Sequence, residues 1–250
     1  ILVEQESRLG GVCLNRGCIP SKALLHATMA MEEAKESANR GITFTDPRID
    51  LDKLRSWKES VLDKLGSGVK TLAEKRNVEV IIGRGHFEDS NTLRVETDKG
   101  QQFITYDKAI IAVGSQPALP AAFDLGNPRI MTSTEALDLP DIPKDLLIVG
   151  GGYIGMELGT VYAGLGSNVS CVEAMDSILM GADPDLKRPV MRYAEEHFKS
   201  VRLETKVLKM ATDKSKIRVT LEIDGKPVDE LYDRVLVSVG RKPNCEDLGL

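Results

Sequence analysis

The chain has 250 residues, 42% of them hydrophobic and 28% charged, with a formal net charge of -5. That is the profile of a globular protein of one or two domains, with ample chain to build a core. Charges of both signs are interspersed, so no basic face for nucleic acid is visible, and no apolar run approaches the roughly 20 residues that cross a bilayer.

In chain order, the opening ILVE reads as the end of a strand whose beginning is missing. With Ile1 in place of Met and no signal-peptide pattern, the chain is expected to be a truncated segment of a longer protein. From Cys18 the run IPSKALLHATMAMEEAKESA is rich in helix formers and predicts a helix. Pro47 interrupts, and a second helix is expected from about Asp52 to Lys75, weakened by Gly66 and Gly68. VEVIIG (78–83), TLRVET (92–97), QFITY (102–106) and KAIIAVG (108–114) then predict four strands.

A connector with Pro117, Pro120, Pro128, Pro140 and Pro143 marks a domain crossover near residue 117. LLIVGGGYIGMELGTVYAGLG (146–166) reads as strand, Gly-rich turn and helix, and NVSCVE (168–173) completes a βαβ unit. A helix over about Asp185 to Phe198 is followed by three strand-like runs, RLETKVLKMAT, KIRVTLEI and DRVLVSVG. Two stretches end alike, IIAVGSQP (110–117) and VLVSVGRKP (235–243). They suggest two nucleotide-binding sheets of related topology.

Four cysteines are too few for a disulfide framework, which points to a reducing compartment. Cys171, inside the apolar VSCVE, reads as a buried inert thiol. Cys13 and Cys18 are different. Five positions apart, they would stand about 140° from one another around a regular helix, too far round for a bond between them. Asn15, Gly17 and Pro20 supply the irregularity that would bring the sulfurs together. A helix starting just beyond them favours a thiolate.

Besides a redox pair, three other readings stay open. A structural disulfide over so short a loop is worth only roughly 2 kcal/mol. A zinc site lacks two further ligands at suitable spacing, so no metal is expected. Two ordinary thiols are the third. Gly10 and Gly11 would let backbone approach a cofactor, and Lys22 would set a cation beside an electron-rich ring.

Gly150, Gly152 and Gly155 form G-x-G-x-x-G between a strand and a helix, with Gly159 one turn on for close packing. A pyrophosphate would sit on that helix N-terminus. Glu173, at the end of the next strand, would accept bonds from both ribose hydroxyls and repel a 2′-phosphate; with no Arg in AMDSILMGA, NAD is preferred over NADP.

GGVCLNRGCIPSKALL (10–25) and VGGGYIGMELG (149–159) together closely resemble the dihydrolipoyl dehydrogenase branch of the flavin-dependent pyridine nucleotide–disulfide oxidoreductases. The resemblance implies an α/β fold with two Rossmann-like FAD- and NAD(P)-binding domains of three-layer ββα sandwich character, the FAD domain incomplete. Residues 1–116 would be the FAD domain with the redox disulfide, 117–243 the NAD domain, and 244–250 the start of the return to the FAD and central domains. It implies oxidation of protein-bound dihydrolipoamide with reduction of NAD⁺, FAD and NAD as cofactors, the lipoyl domain of a 2-oxo acid dehydrogenase complex as partner, and a homodimer.

By the same resemblance Cys13 would be the interchange thiol and Cys18 the thiolate against the flavin. Lys22 would sit by the reactive flavin nitrogen, paired with Glu157. Glu4 would hold the FAD ribose, with Gly10, Gly11, Val12, Gly85 and Gly114 also touching FAD. Tyr153 would border the nicotinamide pocket, unless it packs as a helix aromatic against the sheet. Ile154, Val207, Gly240 and Arg241 would add nucleotide contacts.

Departures are Val12, where Thr is common, and Arg16, where a small apolar residue is usual. The family's first FAD strand, its later acidic FAD site and its C-terminal His–Glu pair are not matched. His26, His86 and His197 read as structural or surface residues. The alternatives are an NADPH-dependent disulfide or mercuric reductase, or an inactive nucleotide-binding fragment. Bacterial cytoplasm and mitochondrial matrix both suit the reading.

Overall fold

A computed structural model describes all 250 residues. The chain divides into two compact units, one of Ile1–Ile19, Glu59–Gln116 and Lys242–Leu250, the other of Pro20–Lys58 and Pro117–Arg241. No helix is long and apolar enough to cross a membrane.

In the first unit β1 (Leu2–Glu4) leads through a glycine turn into α1 (Gly11–Arg16), and α2 (Cys18–Glu36) begins there. The later part of α3 (Leu51–Lys75) returns the chain to β2 (Val80–Ile82), which pairs in parallel with β1. β3 (Arg84–Phe87), β4 (Thr92–Thr97) and β5 (Gly100–Thr105) form an antiparallel meander. β6 (Ser115–Pro117) closes this stretch.

One expected strand is corrected. Residues 108–114 form no strand, and Ile110 is 94% exposed. β-branched residues favour a strand only where neighbours supply hydrogen bonds and a surface to pack on, and within this chain no strand lies beside IIAV.

The second unit is built on five short parallel strands. β7 (Ile130–Met131) is followed by α4 (Ser133–Asp138), whose capping box joins Thr132 and Glu135. β8 (Asp145–Val149), α5 (Tyr153–Leu165) and β9 (Asn168–Val172) are the expected βαβ unit. α6 (Pro184–His197) leads to β10 (Ser200–Arg202). The antiparallel meander β11 (Lys206–Asp213), β12 (Lys216–Ile223) and β13 (Lys226–Tyr232) comes before β14 (Arg234–Val237) and β15 (Arg241–Pro243). The parallel order is β10-β9-β8-β14-β7.

Alternation along these strands makes three layers. Leu146, Ile148, Val169, Cys171 and Leu236 face the helices in one core, with Met156, Val161, Tyr162 and Leu24. Leu147, Val149, Val172, Val235 and Val237 face the meander in another, with Ile217, Val219 and Leu221. Side chains alternate across a strand, so a sheet covered on both faces reads as a continuous apolar run. That is why LLIV and VLV carry no polar residue. The meander over one face and helices over the other give the ββα sandwich.

The expected strand RLETKVLKMAT is split by Glu204, whose positive φ of 49° turns the chain between β10 and β11. The signals that mark β13 and α4 are local: Asp224–Gly225 with φ of 51° and 72°, a hairpin turn, and T-x-x-E at Thr132.

Candidate functional site

The cysteine segment is shaped by its glycines. Gly10 and Gly11 have φ of +120° and +62°, conformations that cost a side-chain-bearing residue dearly. A Cβ on Gly10 would also stand 2.6 Å from Leu14 Cδ1. The Asn15 amide donates to Arg8 O at 3.1 Å and Gly11 O at 3.0 Å, tying the turn to α1. Gly17, at φ -148° and ψ -114°, ends that helix, and a Cβ there would lie 3.0 Å from Val12 O. Cys13 therefore sits inside α1 and Cys18 opens α2, so the two are not on one regular helix. Both are exposed thiols.

Other first-unit residues singled out in the sequence fall around this turn to differing degrees. Glu4 ends β1, its Oε1 accepting from Glu6 N at 3.0 Å. Arg16 points to solvent and pairs with Glu6 at 3.1 Å. Gly114, φ +70°, would bring a Cβ to 3.7 Å from Val12 Cγ2. Gly85 lies in β3 against Leu93 and has an ordinary strand environment.

In the second unit Lys22 Nζ lies 2.5 Å from Glu157 Oε1. The other oxygen of Glu157 accepts from the buried Ser21 hydroxyl at 2.6 Å. Sequence reasoning missed Ser21, since a lone serine in a helix carries no pattern.

The fingerprint turn is tightly built. Gly150 has φ +105° and a Cβ there would reach 2.6 Å from Ser238 O; at Gly155 it would strike Gly150 O at 2.1 Å. Gly152, the N-cap of α5, faces open space. At Gly159 a Cβ would collide with Phe198 and Ile148. Glu173 follows β9, its Oε2 accepting from Gly151 N at 2.7 Å and its Oε1 from Met175 N at 2.9 Å. Tyr153 is 64% exposed, so it does not pack against the sheet; Ile154 follows it in the first turn and is half-buried. Val207 lies in β11 beside a bulge, Gly240 has φ +136° with its carbonyl accepting from Ala118 N, and Arg241 opens β15. Ser238, which bonds Val149 O and Gly150 O through its hydroxyl, was also missed. Cys171 is fully buried, and burial with the nearby Glu173 charge pushes its thiol up to about 12.

The family model for pyridine nucleotide-disulphide oxidoreductases matches residues 1–250. The chain belongs to that family. It is 44% identical to the dihydrolipoyl dehydrogenase of Vibrio parahaemolyticus and 46% identical to that of Haemophilus influenzae, in each case over 98% of this chain and 51% of the relative. It is also similar to a solved structure of the HOCl-induced flavoprotein disulfide reductase RclA from Escherichia coli, with a TM-score of 0.80 and 27% identity over 99% of this chain and 52% of that one. The chain thus spans about half the length of the curated relatives it matches. The α/β fold with a nucleotide-binding ββα sandwich is that of the family.

Family membership implies FAD and a pyridine nucleotide, and this chain's residues fit both. Around Gly150–Gly155, side chains would block the turn while Gly152 leaves the helix end open, the cradle that a pyrophosphate needs. At Gly10–Gly11 the backbone adopts positive φ and Gly11 faces open space, which suits close approach by a flavin nucleotide.

Proposed function

We propose that this chain is the dithiol-bearing, nucleotide-binding part of an NAD-linked flavoprotein that oxidises protein-bound dihydrolipoamide. The observation that carries the reading is the broken helix Cys13–Gly17–Cys18 running into Lys22, whose amine is held by Glu157. Residues 1–116 serve FAD, residues 117–243 serve NAD, and 244–250 begin the return.

In the forward reaction a dihydrolipoyl thiolate attacks Sγ of Cys13 in the Cys13–Cys18 disulfide. Cys18 leaves as the thiolate with the electron pair. The second lipoyl thiol, losing its proton to a general base, displaces Cys13 from the mixed disulfide and frees oxidised lipoamide. FAD, when bound, would supply the two-electron chemistry that links oxidation of the dithiol to hydride transfer onto NAD⁺. Lys22 keeps a cation by the flavin site, and Glu4, Gly10, Gly11, Val12, Gly85 and Gly114 line it. Gly150, Gly152, Tyr153, Ile154 and Gly155 take the dinucleotide, with Val207, Gly240 and Arg241 beside it.

Glu173 is the selector for NAD. Its carboxylate is fixed by two backbone amides, and an acidic side chain after this strand disfavours a 2′-phosphate. Glu173→Arg is expected to move kcat/KM toward NADP by about tenfold or more, a shift of about 1.4 kcal/mol. An unchanged ratio would remove Glu173 from the specificity site.

The partners are a lipoyl domain and a second copy of the protein, in bacterial cytoplasm or the mitochondrial matrix. A second reading, an NADPH-linked reductase of another disulfide or of mercuric ion, is favoured by the likeness to RclA. Steady-state assays with lipoamide and with NADH against NADPH separate the two. The isolated 250 residues are expected to turn over little. A yellow protein active with NADH and lipoamide would refute that, and a colourless one that binds NAD would bear it out.

A further inference from the structure

Glu157 is held by two neighbouring residues of α2. Its Oε1 receives the Lys22 ammonium at 2.5 Å and its Oε2 the Ser21 hydroxyl at 2.6 Å, each bond bridging more than 130 residues of sequence. The two donors differ in setting. Lys22 has a side chain 59% exposed, and an exposed Lys–Glu pair on its own holds neither partner still. Ser21 is 5% exposed, and 2.6 Å is the length of a hydroxyl bond to an ionised carboxylate.

The helices that carry these residues are locked at a second point. A Cβ on Gly164 of α5 would stand 2.7 Å from Cβ of Thr28 in α2, and Thr28 is buried. Ser21 and Thr28 are seven residues apart, as are Glu157 and Gly164. Two turns of helix bring i and i+7 to the same face, so α2 and α5 run side by side along one seam. Gly164 sets its spacing, and Ser21 meets Glu157 at its other end.

We propose that Ser21 is a positioning residue: its hydroxyl fixes the Glu157 carboxylate so that one oxygen faces Lys22, and so sets the direction of the Lys22 amine. The proposal rests on the role given to Lys22 and Glu157 in the proposed function.

The test compares Ser21→Thr with Ser21→Val, which add the same bulk and differ only in the hydroxyl. Should the Val variant fail to fold, Ser21→Ala carries the same comparison without added bulk. Lys22 acylation by an amine-reactive ester, read by peptide mass spectrometry against the exposed Lys53, reports how firmly the amine is held. Ser21→Val is expected to raise Lys22 labelling about threefold, as Glu157→Gln does, with Ser21→Thr close to the unaltered chain. The double variant Ser21→Val/Glu157→Gln is expected to match Glu157→Gln alone, because both changes act on one interaction. Labelling in Ser21→Val equal to that of the unaltered chain, or an additive double variant, would overturn the proposal. In the full-length, flavin-loaded protein Ser21→Val should lower kcat with KM for the nucleotide unchanged. Raised labelling with kcat unmoved in both Ser21→Val and Glu157→Gln would uphold the positioning and reject the role of Lys22 in the reaction.

Discussion

IIAVGSQP and VLVSVGRKP end almost alike, yet they live in different surroundings. In the second, Val235, Leu236 and Val237 are buried in the central parallel sheet, between a meander and a helix layer. In the first, Ile110, Ile111 and Val113 stand exposed and form no strand, and only Ser115–Pro117 are extended in pairing with β15. β propensity is the same in both. What differs is the presence of a strand on either side and a layer on either face, and these decide where a hydrophobic run becomes structure.

The most direct way to sharpen that comparison is to cut one residue from each. Ile148→Ala removes a fully buried side chain from the helix-facing core and should cost about 2–5 kcal/mol in denaturant unfolding. Ile110→Ser, at a position 94% exposed, should change stability by less than about 0.5 kcal/mol. A large loss at Ile110 would mean that the 108–114 run is packed in solution.

The cysteines extend the contrast. Cys171 is buried with its thiol pushed up to about 12, whereas Cys13 and Cys18 are exposed. Alkylation of the native reduced protein at neutral pH should modify Cys13 and Cys18 and spare Cys171 until the protein unfolds. Labelling of Cys171 at a comparable rate would break the distinction.

The smallest effect concerns acid stability of the meander. Arg202, bonded to both oxygens of Glu230 at 2.8 and 2.7 Å, holds that carboxyl below its ordinary value of 4.5, against the opposing pull of burial. A carboxyl lowered in the fold stabilises it above the ordinary value, and the contribution is lost as pH falls through the folded value. Glu230→Gln should therefore be less stable than the unaltered chain by about 1 kcal/mol at pH 7, after allowing for partial exposure. The gap should close in acid below pH 4.5. A gap constant with pH would assign the loss to packing.

The parts of the site legible in the sequence are those whose chemistry demands fixed spacing. G-x-G-x-x-G needs a strand before it and a helix after it, and the structure has β8 and α5 there. The pairing of Lys22 with Glu157 is legible from family resemblance alone, since 135 residues separate them. Ser21 and Ser238 escaped because each acts through a tertiary contact that no local pattern announces. Residues 108–114 read as a strand but form none, because propensity is local while pairing is not.

The proposed electron relay runs through Cys13 and Cys18, and the flavin spectrum reads it most directly. In the full-length, FAD-loaded protein reduced by dihydrolipoamide, a long-wavelength charge-transfer band between the Cys18 thiolate and the flavin is expected. Cys18→Ser should abolish it, and Cys13→Ser should keep it. A band that survives Cys18→Ser would contradict the assignment of the two sulfurs.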